Sequence, residues 1–544
     1  MSRILVIGGY GGFGARLCRR LRHHHLLVGG RSEEKARRFC AGLPSAEPVR
    51  VDREGDVAAV LARLRPGLVI DAAGPFQGSG YDAPSACIAA GIPYLDLADA
   101  RDFVAGAAAL DAEARRAEVS VVAGASSVPA LSGAVARRLA LGLESVSSVD
   151  VAISASNRAS GGEAVMAAIL SYVGRPIRAW RGGRWTRLVG WQELRRENFV
   201  MADGGGVRGR LVALADVPDL ELLPALLPGR PAVAFRAGTE LSFQMAALWL
   251  ASWPVRWGWV HSLSPLRRLL VPLYRMTRAL GGASSAMSVT LKGSGVERRW
   301  TLVADKGEGL EVPTMAAAIL AERILAGALP AGSLNAASLL EIEDFAAAFA
   351  GLAIRHETIE RPLPEPLYRR VLGPRFALLP PAVRAIHDVA ADAGAAGEGE
   401  VIRGRSLPAR LLGAIMRFPP SGKVPLHVHF AARGGVERWT RDFGGHRFAS
   451  ELSGRGERIV ERFGPLAFHF DISAAEDGLG MHLRRWTCLG LPLPPALAPR
   501  IAAREWEEEG RFRFDVAVEV PLAGDVVRYS GWLAPTCRMQ GTAR

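Results

Sequence analysis

The chain opens on Arg3-Ile-Leu-Val-Ile7, an apolar run that stops at Gly8 and gives way to Gly9-Tyr10-Gly11-Gly12-Phe13-Gly14. Leu17 and Leu21 then take up helical spacing. No other stretch restricts the fold as tightly. A β-branched and aliphatic run of this length suits a parallel strand buried on both faces. G-x-G-x-x-G alone is a weak pattern. Between a strand starting at residue 3 and a helix expected over 12–22 it becomes specific. Its glycines allow a tight turn and close backbone approach to a diphosphate, and the first helical N–H groups point at that diphosphate. The expected fold class is therefore α/β, a Rossmann-type doubly wound parallel sheet, with a dinucleotide held by Gly9, Tyr10, Gly11, Gly12, Phe13 and Gly14.

A second strand over 26–29 ends in Gly30-Arg31-Ser32. A carboxylate at this place takes the ribose hydroxyls of NAD; an arginine and a serine suit a 2′-phosphate, with Lys35 or Arg37 one turn on. NADP(H) is expected in preference to NAD(H). Further strands are expected at 48–51, placing Asp52 near the adenine, and at 67–72, 93–97 and 119–123. Strands about 25 residues apart with alanine-rich helices between them build a parallel sheet whose ligands sit at the carboxyl ends. The nicotinamide is then expected beside Ala73, Gly74, Pro75 and Phe76 and the 124–129 loop. Asp99 is the first candidate for proton transfer or substrate orientation, with Asp96 close by and Tyr81 or Ser127 as hydroxyl donors. An aspartate here equally suits a helix cap, and Asp99 or Asp102 stands ahead of a helix expected over 103–117.

The glycine turn, "AAGPFQGSGYDAPSACIAAGIPYLDLADARDFV" and "AGASSVPALS" together resemble the saccharopine dehydrogenase-like oxidoreductases over residues 1 to about 350. The resemblance implies a Rossmann domain over 1–130, completed by a late helix near 312–332, and an inserted α+β substrate and dimerisation domain over 131–362, hence a homodimer. It also implies mixed chemistry. The group includes enzymes acting on amino-acid C–N bonds and mycobacterial proteins proposed as trans-acting enoyl reductases, so the fold leaves the substrate open. Asn157 and Arg158, opening "SNRASGGEA", are candidate substrate contacts. Only Lys35, Lys292, Lys306 and Lys423 are lysines, and none lies in the carboxyl-edge loops, which disfavours a lysine acid or base.

The expected function is an NADPH-dependent reductase of a hydrophobic or acyl-chain-like C=C or C=N substrate. A non-catalytic NADP-binding protein, membrane-associated or lipid-carrying, and an amino-acid C–N oxidoreductase are the alternatives. The formal charge of +13 comes from scattered arginines without runs, so it does not point to nucleic acid. Five cysteines (18, 40, 87, 488 and 537), an odd number with no CxxC pair, suit a reducing cytoplasm and argue against a disulfide framework or a zinc site.

Residues 240–282 hold four of the twelve tryptophans. The run 241–251 is too short to span a bilayer before Pro254. Leu266 to Leu280 carries Leu269, Leu270, Leu273 and Met276 near helical spacing among Arg267, Arg268, Arg275 and Arg278. This composition suits a buried dimer interface or pocket wall, a helix lying in a membrane interface, or plain core. Beyond 362 the texture changes to period-2 alternation joined by glycine turns, over at least six strands. An antiparallel sheet or partial barrel is expected over 363–544, resembling the C-terminal domain of unassigned function found on bacterial relatives. His427 and His429 share a strand face there without a third metal ligand in sequence, so no metal is expected. Trp439, Arg441, Glu461, Arg462 and Arg528 suit either a cavity mouth or surface pairs.

Overall fold

The computed structural model describes residues 2–55, 57–158 and 162–536, with backbone alone at 162–164, 269, 271, 273–275 and 278. The chain divides into two compact units. One comprises residues 1–179, 186–291 and 298–360, the other 180–185, 292–297 and 361–544.

The first unit begins with β1 (Arg3–Ile7), α1 (Gly12–Arg20), β2 (His25–Gly30), α2 (Glu33–Cys40) and β3 (Ala46–Arg50). It continues with β4 (Leu68–Asp71), β5 (Tyr94–Asp96) and β6 (Ser120–Ala123). The sheet runs in the order 3-2-1-4-5-6, every pair parallel, as expected of a doubly wound dinucleotide fold. β1 and β4 are buried on both faces. The helix expected over 312–332 ends earlier, at Val312–Leu325, and Gly332–Asn335 instead pairs in parallel with β6 as a seventh strand. The helix expected over 103–117 is broken into Arg101–Gly106 and Asp111–Arg116 around a 3-10 turn.

A second, seven-stranded mixed sheet follows. It holds the parallel pair Ser148–Ala155 and Ala232–Thr239, with the hairpin of Arg195–Val200 and Gly206–Leu214 at one edge. The apolar stretch 240–282 folds as two helices, Ser242–Arg256 and Arg267–Met276. Met245 and Val255 are buried, whereas Phe243, Leu250, Trp257, Trp259, Met276 and Leu280 are exposed. The rings of Trp249, Trp253, Trp257 and Trp259 follow one another with centroids 5.6, 5.4 and 4.9 Å apart. No helix among the described residues is long and apolar enough to cross a membrane. The side chains of Leu269, Leu273, Arg275 and Arg278, and Cys537, lie outside the described residues.

The second unit is a closed antiparallel barrel. Its ten strands are Asp392–Arg403, Gly422–Arg433, Val436–Phe443, His446–Arg455, Arg458–Phe463, Leu466–Ala475, Gly478–Cys488, Arg500–Glu508, Arg511–Val520 and Gly524–Pro535. Pairing of Leu466–Ala475 with Gly478–Cys488 completes the ring, so neither of these two strands is left as an open edge. Inward positions alternate with outward ones, and Leu426, Val428, Phe430, Phe443, Phe512 and Phe514 fill much of the interior. Trp439 and the ion pair Arg441–Glu461 (3.2 Å) belong to that interior, whereas Arg528 and Arg462 are exposed. His427 and His429 serve as hydrogen-bonding side chains. The first bonds the Gly182 carbonyl (2.8 Å) and the second the Asp392 carboxylate (2.6 Å).

Candidate active site

The turn after β1 is possible only with bare backbone. A Cβ at Gly14 would lie 2.1 Å from the Gly8 carbonyl oxygen, and one at Gly9 2.9 Å from that of Val6. Gly8 itself sits at φ +75°. α1 starts directly behind the turn, with Gly11 as its extended N-cap and no acidic side chain in its first turn. The first N–H groups of the helix lack intrahelical acceptors and no acidic side chain of that turn opposes an anion there, which fits a diphosphate.

At the end of β2 the ring of Tyr10 lies against Gly30, where a Cβ would meet it at 2.4 Å, and its hydroxyl accepts the Ser32 N–H at 3.0 Å. Ser32 Oγ accepts the Lys35 N–H and caps α2. Arg37 is paired with Glu33 at 2.7 Å. Arg31 and Lys35 are exposed beside this corner and are the cations left for a 2′-phosphate. Asp52 is exposed beyond β3, its Oδ1 accepting the Glu54 N–H.

The carboxyl ends of β4 and β5 carry the next group. Asp71 and Asp96 are both fully buried. Asp71 Oδ1 accepts the Ala73 N–H (2.9 Å), and Asp96 Oδ1 accepts both the Ala98 (3.0 Å) and Gly124 (2.8 Å) N–H groups. Burial pushes the Asp71 carboxyl up to about 6 and that of Asp96 up to about 7. Asp96 thereby fixes the loop that follows it and the 124–129 loop. Its Oδ2 is buried without a partner among the described residues.

Asp99 stands apart from this frame. The helix it was expected to cap begins at Arg101, behind Ala100, and receives no side-chain cap. The Asp99 carboxylate instead accepts a hydrogen bond from Gln77 (3.3 Å), in the loop after β4, and its surroundings push its pKa up, chiefly by burial. Tyr172, closing helix Gly162–Tyr172, is coupled to the same carboxylate. Burial, then the charge of Asp99 and Asp216, pushes its phenol up.

Three of the named candidates are otherwise engaged. Tyr81 donates to the Phe103 carbonyl (2.8 Å) and stacks on that ring, which takes its hydroxyl out of proton transfer. The Phe76 ring is buried against Phe103, so Phe76 offers a cofactor its backbone only, while Gly74 and Pro75 are exposed and Ala73 half-buried. Asn157 is buried and saturated. Its amide donates to the Thr277 and Leu280 carbonyls and accepts from Gln244, and its N–H donates to Glu240. These bonds tie the end of a sheet strand to the 277–280 segment and occupy both amide hydrogens. Arg158 is exposed, and Ser127 starts the turn at 127–131. Residues 159–161 of that candidate loop lie outside the described residues.

Sequence reasoning missed Arg53. Its guanidinium donates to the Ala73 carbonyl (2.8 Å) and the Ser79 hydroxyl, lies 3.7 Å from Asp71 and sits 4.6 Å over the Phe76 ring. It walls a cavity of about 170 Å³ shared with Asp71, Ser79 and Tyr94. The one available signal was an arginine just past the end of a sheet strand. His23, His24 and Glu322 also meet, both imidazoles bonding one carboxylate oxygen, but at the amino end of β2, the edge opposite the glycine turn.

This strand order, glycine turn and bare helix start define an NAD(P)-dependent oxidoreductase. Residues 4–122 match the saccharopine dehydrogenase NADP binding domain, and residues 379–533 match a domain of unknown function, DUF4166. Over residues 4–122 the chain is therefore similar to the NADP binding domain of saccharopine dehydrogenases, with NADP(H) the preferred cofactor. No curated protein matches the chain. Among solved structures it is similar to an amine dehydrogenase from Mycobacterium smegmatis (12% identity, 63% of this chain and 96% of that one, TM-score 0.36). It is also similar to GenD2 from gentamicin A biosynthesis in complex with NAD (14%, 66% and 96%, 0.32). A third is the WlbA dehydrogenase from Thermus thermophilus in complex with NAD and alpha-ketoglutarate (15%, 61% and 90%, 0.29).

Proposed function

We propose that the protein is an NADPH-dependent reductase of a hydrophobic, acyl-chain-like substrate carrying a polarised C=C or C=N bond. Bound NADPH would supply the hydride. Gly9 to Gly14 and the start of α1 would hold its diphosphate, and Arg31 and Lys35 its 2′-phosphate. The observation that carries the reading is Asp99. It stands past β5 on the ligand-binding edge of the sheet, is oriented by Gln77, and burial holds its carboxyl above the ordinary aspartate range. As general acid, Asp99 would deliver the proton that complements hydride addition, with Tyr172 as the neighbouring hydroxyl. The apolar 240–282 stretch of the second domain supports a greasy substrate. The absence of lysine from the carboxyl-edge loops disfavours amino-acid C–N chemistry that uses a lysine.

The test is NADPH consumption by purified protein with enoyl or imine substrates of increasing chain length, set against free amino acids. Turnover that rises with chain length supports the proposal. Turnover on amino acids alone, or tight NADPH binding with no turnover on either class, sinks it.

A second reading concerns location. Trp257 and Trp259 are exposed at the end of an aromatic row, next to Arg256 over the Trp253 ring. This supports contact of 240–282 with a membrane interface, where tryptophan and arginine are favoured. A partial fall in vesicle binding in Trp257→Ser/Trp259→Ser is the expected outcome, and unchanged binding removes this stretch from the interface.

A further inference from the structure

The barrel is polarised along its axis. In an antiparallel ring, successive connections alternate between the two ends. Residues 404–421, 444–445, 464–465, 489–499 and 521–523 therefore share one end, and 434–435, 456–457, 476–477 and 509–510 the other. The first set contains no acidic residue at all and carries Arg405, Arg410 and Arg417. The second set carries Glu457, Glu476, Asp477 and Glu509 and no cation.

Apolar exposure follows the same division. Leu407, Leu411 and Ile415 stand at i, i+4 and i+8 on helix Leu407–Ile415, whose other face is pinned by the buried Ala409 and Gly413. With Leu489, Leu491 and Leu522 from two other connections of that end, these side chains are between 64% and 95% exposed. Of the other large apolar residues exposed in the barrel unit, only Leu378 and Val436 lie toward the acidic end. A monomer that displays this many large aliphatic side chains at one end has a surface waiting for an apolar phase.

The flank of that end is cationic. A groove of about 530 Å³ on the outer wall runs from Leu489 and Gly490 to Arg462, His469 and Arg485. No carboxylate is paired with Arg462 or Arg485 among the described residues, whereas neighbouring Arg458 and Arg484 both share Asp471. The buried His469 registers the surplus: burial first, then Arg485, Arg455, Arg458 and Arg462, hold its pKa below the ordinary histidine value. The acids toward this end are the exposed Glu400, opposite Lys423, Asp442, paired with Arg184 and Arg447, Glu519, near Arg500, and the exposed Asp525.

We propose that this end of the barrel docks on an anionic lipid bilayer, with Leu407, Leu411, Ile415, Leu489, Leu491 and Leu522 in the interfacial region and Arg462 and Arg485 on lipid phosphate. The fit is one of charge and geometry together. An exposed aliphatic rim suits the boundary between headgroups and acyl chains, and each arginine near an anionic surface adds to the attraction. The acidic opposite end fixes the orientation. The proposal concerns a surface distinct from 240–282 and does not depend on the reductase reading.

The test uses the full chain and sedimentation with vesicles of phosphatidylcholine alone or with one-third phosphatidylglycerol. Binding to the anionic vesicles is expected, weakening as salt is raised. Leu407→Ser/Leu411→Ser/Ile415→Ser is expected to lower the partition coefficient at least tenfold. Arg462→Glu/Arg485→Glu should lower it about tenfold or more on anionic vesicles and leave neutral ones unchanged. Thermal melts should match the parent, because the replaced side chains are exposed. Unchanged partition in both variants overturns the proposal, as does binding abolished by Trp257→Ser/Trp259→Ser alone. A leucine variant that turns an oligomer into a monomer without touching vesicle binding marks a subunit interface and overturns it too.

Discussion

Asp71 and Asp96 stand directly opposite each other on β4 and β5, two fully buried carboxyls in one register pair of a parallel sheet. Arg53 lies 3.7 Å from the first and no cation pairs with the second among the described residues. Between the unfolded carboxylate range and about pH 7 the folded chain keeps the Asp96 proton that the unfolded chain releases. The folded state is therefore favoured at acid pH and loses that contribution as pH rises to about 7, at about 1.4 kcal/mol per pH unit over the window. Asp96→Asn keeps an acceptor for the Ala98 and Gly124 N–H groups and removes the ionisation. Denaturant titrations should show a flatter stability profile from pH 5 to pH 8 in the variant, by an order of 2 kcal/mol.

Gly14→Ala places a methyl group 2.1 Å from the Gly8 carbonyl, so α1 must move off the turn. Fluorescence titration with NADPH should show affinity reduced at least a hundredfold, with a stability loss of about 2 kcal/mol or more from the overpacked contact.

Arg31 and Lys35 are exposed cations at the end of β2. Arg31→Asp should lower the ratio of NADP to NAD affinity by about thirtyfold or more, since a carboxylate repels a 2′-phosphate and binds ribose hydroxyls. Unchanged relative affinities would remove Arg31 from the site.

Asp99→Asn should lower kcat by about 10²–10⁴ while NADPH affinity stays within a few-fold, and the basic limb of the pH–rate profile should go with it. Tyr81→Phe should leave kcat intact and cost about 1 kcal/mol, the hydroxyl's bond to the Phe103 carbonyl.

Asn157→Ala should destabilise the first unit by about 1–3 kcal/mol, because the buried Asn157 amide no longer donates to the Thr277 and Leu280 carbonyls. Its Michaelis constant should stay unchanged if the residue holds structure only.

The nucleotide domain was legible because its constraints are local: a buried strand, a glycine turn and an arginine where a carboxylate would select NAD. Asp96 and Asp99 were placed on the correct edge for the same reason. What decides their roles is not local. Whether Asp99 caps a helix depends on where that helix starts, and the start falls at Arg101. Tyr81 depends on Phe103, and Asn157 on carbonyls some 120 residues away. In the barrel, Asp392–Arg403 reads "DAGAAGEGEVIR", nearly free of β-branched residues, so it carries no strand signal. Those small residues are what neighbouring strands need there: a Cβ at Gly397 would lie 2.0 Å from the Trp532 carbonyl oxygen.

The barrel unit recruits two short hairpin segments, 180–185 and 292–297, from within the sequence of the oxidoreductase unit. His427 and Thr536 both reach the Gly182 carbonyl, and Asp392 accepts the Gly182 N–H. A stop codon near residue 361 would therefore strip these hairpins of their hydrogen-bond partners. Shortened versions of this protein should come out of cells insoluble or nicked by proteases at both hairpins, and a cleanly detachable tail is not available to genetic deletion.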